Sequence, residues 1–260
     1  MRSRVAALGA AVLLGTVVAA RAQAPTRSRG PARALDHVRF MIDAGEQASS
    51  TAISETQTFQ QNQEQGTFTL TRTIGKRAFY DGGVAFHIIS GLHAGVSFSY
   101  FKDPGPGAVT AQVPHPFFFN QLRTTSGTAG GIDRKETAVH IQISWTARAA
   151  GGIEFTAFGG PSIFQTEQGL ATKLNLTPAN EVYPYDTLKF PGVTTQSVKD
   201  SVNGYNAGAD MTWKLGKTFG LGVLIRYSHG QKNFTPTGGG QAVNLETGGL
   251  HAGGGLRVVF

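Results

Sequence analysis

The chain has 260 residues, no cysteine, 35 glycines, only 15% charged residues and a formal net charge of +7. The lack of cysteine excludes disulfides and thiolate metal centres. Three arginines fall within the first 24 residues, and beyond them 20 basic residues stand against 16 acidic ones, an excess too small to point to nucleic acid.

Residues 1–24 have the three-part form of a secretory signal: Arg2 and Arg4, an apolar run over 5–20, then Ala22-Gln23-Ala24 with small residues at the cleavage positions. An uncleaved membrane anchor needs about 20 apolar residues, more than this run holds, so the exported chain is expected to start near Pro25. Residues 25–35, rich in Arg, Pro and Ala, read as a periplasmic lead-in, and 36–260 as one domain. No later stretch is apolar enough for a membrane helix, so a membrane would be crossed by strands.

Eight strand-like segments follow, without a convincing amphipathic helix between them. The first sets Val38, Phe40, Ile42 and Ala44 against Arg39, Met41 and Asp43, and is read as continuing past Gly45, since 56–59 is strand-like again. The second is expected over about 66–89, and Ser90-Gly91 turns it tightly into the third, where Leu92, Ala94, Val96, Phe98 and Tyr100 alternate with His93, Gly95, Ser97 and Ser99. The fourth, 136–147, has Val139, Ile141, Ile143 and Trp145 on one face and His140, Gln142, Ser144 and Thr146 on the other. A short turn at 148–152 leads to the fifth, from Ile153 to about Gln168 with Glu154, Phe155 and Phe158. In the sixth, 204–215, Tyr205, Ala207, Ala209, Met211 and Trp213 oppose Asn206, Gly208, Asp210, Thr212 and Lys214. Gly216-Lys217 turns it into the seventh, 219–229, and the eighth is 249–260, with Leu250, Leu256, Val258 and Phe260 on one face and His251 and Arg257 on the other.

Short links join segments two to three, four to five and six to seven, whereas the others are long and polar, the longest near 103–134 and 169–203. A soluble β-sandwich or lipocalin-like barrel also holds eight alternating strands, but has no reason to alternate its link lengths. The pattern therefore predicts an all-β fold: an eight-stranded antiparallel up-and-down transmembrane β-barrel with short periplasmic turns and long extracellular loops. Tyr100, Trp145, Trp213, Tyr227 and Phe260 would form aromatic girdles. Inside would gather His87, His93, Lys214 and His251 with a charge network of Arg39, Asp43, His140, Glu154, Asp210, Arg226 and Arg257. Because an eight-stranded interior is filled by side chains, a plugged lumen is expected. The four inward histidines lack ligand spacing, so no metal or cofactor is expected.

The last strand carries the sharpest motif. It resembles the C-terminal assembly signal of bacterial outer-membrane barrels, with Gly255, Leu256, Val258 and Phe260 matching, while Gly253 stands where that signal has a polar residue. With the leader and the link pattern, the chain resembles a small eight-stranded barrel of the outer-membrane protein A type, with no peptidoglycan-binding domain expected after it. The resemblance implies residence in the outer membrane as a monomer, with outer-membrane lipid, lipopolysaccharide and the barrel assembly machinery as partners.

Within the second long loop, His115, Phe117, Phe118, Phe119 and Arg123 form a candidate contact patch, whose aromatics are expected to fold over the barrel mouth or dip into the outer leaflet. The function read from these features is non-enzymatic: a structural or surface-interacting barrel acting through its loops. A lipid A modifying deacylase or acyltransferase is the alternative, and a narrow channel the third reading. Ser228-His229 is the tempting pair for an enzyme, but strand neighbours point to opposite faces.

Overall fold

The computed structural model describes residues 37–48, 51–234 and 242–260, so the leader and lead-in expectations lie outside the described residues. The described residues form β1 (Val38–Gln47), β2 (Thr51–Gln61), β3 (Glu64–Ile74), β4 (Ala78–Ile89), β5 (Leu92–Asp103), β6 (Gly107–Pro114) and β7 (Leu122–Ala129). There follow β8 (Arg134–Arg148), β9 (Ile153–Leu174), β10 (Glu181–Val182), β11 (Thr187–Leu188), β12 (Val193–Lys214), β13 (Phe219–Phe234) and β14 (Val243–Val259).

Eight of these strands close into a ring in the order β1-β14-β13-β12-β9-β8-β5-β4, and β4 pairs back onto β1. Every pairing in the ring is antiparallel. At one end the links are tight: Ser90 and Gly91 both take positive φ, 47° and 88°, as a two-residue hairpin turn between right-twisted strands requires.

The other end is more structured than the sequence suggested. Strands β2, β3, β6 and β7 build a second, four-stranded sheet out of the first two long loops. The expected second strand is thus two strands in different sheets. Asp103 fixes the break between them: its carboxylate accepts hydrogen bonds from the Gly75 amide at 3.2 Å and Arg77 Nε at 2.8 Å, and pairs with Arg72 at 3.0 Å. The expected long first strand also divides, since β1 leaves β14 at Gln47 and β2 pairs only with β3. Conversely, much of the loop expected over 169–203 is strand, because β9 and β12 stay paired up to Leu174 and Val193 with one register shift at Thr194/Thr195.

Side-chain alternation sets two environments. Outward residues of the ring are apolar and exposed, among them Ile42, Phe98, Ile141, Ile143, Ile163, Met211, Val223, Ile225 and Leu256. Exposed Trp145, Phe155, Trp213, Phe219 and Phe260 lie near the tight-turn end, and Tyr80, Tyr100, Tyr205 and Tyr227 about nine residues further along their strands. A hydrocarbon layer needs 9–11 tilted residues per strand, edged by aromatic rings, and this belt meets that requirement.

Inward residues change character with height. Those nearer the tight turns are polar, whereas Phe101, Ala138, Phe164, Val202, Phe234, Val243 and Leu245 form a buried apolar cluster with Ile53 and Ile74 of the second sheet. An apolar stopper therefore covers the polar lumen, a feature that the expected charged interior did not include. A second core, with Phe68, Leu70, Val109, Val113, Ile132, Leu174 and Leu188 buried, packs the four-stranded sheet against the extended part of β9. Barrel extension and sheet together make a compact β-rich head.

Candidate functional site

The lower lumen is organised around Glu154. Its Oε2 accepts from Arg39 Nη2 at 2.6 Å, and its Oε1 meets Arg148 Nε at 2.9 Å and Lys214 Nζ at 3.1 Å. Arg39 on β1 and Glu154 on β9 stand four strands apart in a ring of eight, so this bond crosses the full lumen.

One layer higher, Arg257 lies between Asp43, at 2.8 Å, and Asp210, which it also contacts through Nη2. Room for this guanidinium comes from Gly222, where a Cβ would fall 2.5 Å from it. Arg226 pairs with Asp81 at 2.6 Å, and Thr212 donates to Asp210 at 2.7 Å. Higher still, Arg134 pairs with Glu136, whose other oxygen accepts the Gly248 amide of the opposite strand at 3.0 Å. The residual space around Arg39, Asp81, Ser97, Gln142 and Arg226 is about 30 Å³, room for a water or two.

His140 differs from the expectation of a charged partner. It sits among hydroxyls, with Ser99 Oγ 3.0 Å from Nε2 and Ser162 Oγ 2.8 Å from Nδ1, and it is fully buried. Both ring nitrogens are thus taken up by hydroxyls, and the imidazole itself has no exposed surface. The other inward histidines are dispersed: His87 and His93 have ring centroids 5.3 Å apart, while His251 packs on Phe79 at 4.9 Å. Among the described residues no group of three or more His, Cys, Asp or Glu side chains is arranged to hold a metal ion.

Ser228 is buried on the lumen side, and His229 faces outward, stacked on Tyr227 at 6.4 Å. The two side chains therefore cannot act as nucleophile and base on one substrate.

The loop patch needs a correction. Phe117, Phe118 and Phe119 are 72%, 57% and 73% exposed, but His115 and Arg123 are buried. His115 Nδ1 accepts the amides of Phe117 and Phe118, both at 3.1 Å, and so shapes the turn. Arg123 donates to the Pro114 carbonyl at 3.0 Å and the Tyr185 carbonyl at 3.2 Å, and pairs with Glu181 at 3.3 Å. It ties the tip of the β6–β7 hairpin to the β10–β11 ladder. The three rings sit in the turn of this hairpin, at the far end of the eight-residue strand β6 from Gly107.

The closed ring, the exposed apolar belt and the two aromatic edges decide the architecture. The fold is that of a small transmembrane β-barrel of the outer-membrane type. No protein-family model and no curated protein matches the chain. Among solved structures, it is similar to the Neisserial surface protein A, with 11% identity over 86% of this chain and 97% of that one, at a TM-score of 0.42. OprG from Pseudomonas aeruginosa gives 7% identity over 86% and 97%, at a TM-score of 0.44. Ail of Yersinia pestis gives 10% over 86% and 99%, at 0.31.

Sequence reasoning missed Asp81, Asp103, Glu136 and the head. The parity of the second segment carried a signal for Asp81, because it alternates in step with Ala85 and the inward His87. Asp103 lies at the start of the loop expected over 103–134, where no parity applies, whereas Glu136 opens the expected fourth strand in step with the inward His140 and carried the same signal as Asp81.

Proposed function

We propose that the chain is a non-enzymatic outer-membrane barrel that holds a rigid head outside the cell and presents its aromatic tip to a surface partner. The observation that carries this reading is the construction of the tip. Buried His115 and Arg123 hold Phe117, Phe118 and Phe119 exposed on a hairpin that a hydrophobic core anchors to the barrel, and Arg123 ties it to the β10–β11 turn that carries exposed Tyr183. Four large rings left in water on a braced scaffold form an exposed apolar patch of the kind that marks interaction sites, and preorganisation lowers the ordering cost of binding. The filled lumen supports a non-conducting role, and the opposed faces of Ser228 and His229 weigh against a lipid A hydrolase built on that pair. In this reading the terminal strand with Gly255, Leu256, Val258 and Phe260 engages the barrel assembly machinery during insertion.

Proteoliposomes bearing the parent protein or a Phe117→Ser/Phe118→Ser/Phe119→Ser variant can be passed over an array of extracellular-matrix proteins and glycans. The reading expects at least one probe to capture the parent and lose at least about ten-fold in affinity with the variant. Identical capture profiles for the two proteins would refute it. Lipid A of unchanged mass after incubation with the refolded protein is expected as well, and a deacylated product would favour the enzyme.

A further inference from the structure

One outer face of the barrel joins three features that the surface role does not use. Within the membrane belt, a groove of about 420 Å³ runs across β14, β1, β4 and β5. Ala44, Gly82 and Gly254 form its floor, and Phe98 and Leu256 flank it. Tyr80 and Tyr100, directly opposed in the β4–β5 register, stand on its upper rim.

Immediately above, Lys102 and Lys135 face each other in the β5–β8 register. Like charges placed opposite one another on neighbouring strands repel. Lys135 Nζ lies 5.9 Å from the centre of the Tyr100 ring, and among the described residues neither lysine has an ion pair. Two cations are thus set side by side at headgroup level without a direct ion pair, with Glu167 opposite Lys135 in the β8–β9 register as the neighbouring carboxylate.

Third, these same lysines line a polar pocket of about 320 Å³ where the head meets the barrel, together with Asp133, Glu167 and Ser197. Carboxylates and a hydroxyl beside ammonium groups suit a ligand that offers both hydroxyls and negative charge. Continuity between the levels is direct, since Thr137 lines the groove two residues from Lys135 on the same strand, and Tyr100 lines the groove beneath the Lys135 ammonium.

We propose that this face binds a phosphorylated glycolipid of the outer leaflet, with an acyl chain in the groove, a phosphate on Lys102 and Lys135, and sugar hydroxyls in the polar pocket. The assignment rests on the reading of the head as extracellular, which puts the lysines at the outer surface. A hydrocarbon environment supplies acyl chains to the groove, and the paired lysines complement a phosphate. The polar pocket distinguishes a sugar headgroup from a simple glycerol one.

Native mass spectrometry of the folded protein in detergent, titrated with diphosphoryl lipid A, its dephosphorylated form or phosphatidylglycerol, tests the site. The parent is expected to bind diphosphoryl lipid A about ten-fold more tightly than either other lipid. Lys102→Gln/Lys135→Gln should abolish the preference for phosphate. Gly82→Leu should weaken all three lipids by filling the groove, at a position where a Cβ meets nothing closer than 3.9 Å. Heat-shifted gel migration reports that each variant remains a folded barrel. Equal binding of phosphatidylglycerol, indifference to both variants, or dimers in place of lipid adducts would overturn the proposal. A parent without heat-shifted migration would overturn the barrel reading, and the site with it.

Discussion

At the scale of single residues, the lumen is a set of charges that tolerate no unpaired partner. Arg226 and Asp81 are both almost fully buried, and breaking such a pair by removing one member costs about 3–5 kcal/mol because the other charge stays in the interior. Asp81→Asn should lower stability by about that amount in urea unfolding from phospholipid vesicles; a loss under about 1 kcal/mol would mean that Arg226 finds other compensation. In the head, burial raises the Glu55 carboxyl above its ordinary range, against the opposing pull of hydrogen bonds from Gln57 at 3.0 Å and the Ala171 amide at 3.3 Å. The folded head thus holds this proton more tightly than the unfolded chain. Its stability is greatest below the ordinary glutamate value of about 4.3 and declines as pH rises through the elevated one. Glu55→Gln should flatten that dependence and protect the head at neutral pH, as limited proteolysis across about pH 4 to 8 would register.

At the scale of elements, the head depends on its own core and the barrel on its closed ladder. Phe68 of β3 is 2% exposed in the core between the sheet and β9, so Phe68→Ala should cost the head about 3–5 kcal/mol. Proteolysis should then remove the β2–β3 and β6–β7 hairpins sooner, while heat-shifted migration of the barrel persists. Loss of both together would show head and barrel to be one cooperative unit. The eight barrel strands were legible because lipid outside and polar groups inside impose a period of two, strong even in short segments such as 139–146. The head was not legible in the same way. Strands such as β2, with Thr51–Gln61 rich in Thr and Gln, and β7, Leu122–Ala129, carry small polar residues on their open faces. Read alone, β6 and β7 resemble loops, whereas 56–59 and the segment from about 66 carry a strand pattern that does not show that they leave the barrel. Their place in the head follows from long-range pairing and from burial of Phe68, Leu70, Val109 and Val113, which local pattern does not record. For the same reason the loop motif was recognised as unusual while the roles within it were misassigned. His115 and Arg123 have the chemistry of contact residues, but Pro114, Tyr185 and Glu181, brought near by folding, turn them inward.

At the scale of the whole molecule, the structure is a filled anchor below and a preformed head above. Among the described residues, ionic bonds cross the ring and an apolar cluster lies over them. Single-channel recording in planar bilayers should accordingly give flat traces, and steady conductance would mean that the stopper opens. Orientation is the claim on which the surface role and the lipid site both depend. The chain contains no cysteine, so single-cysteine variants can be read without background. Labelling of intact cells with a membrane-impermeant maleimide compares Phe118→Cys at the head tip with Lys217→Cys in the tight turn between β12 and β13. The account predicts rapid labelling at 118 and protection at 217 until the outer membrane is breached; labelling at 217 with protection at 118 would contradict it.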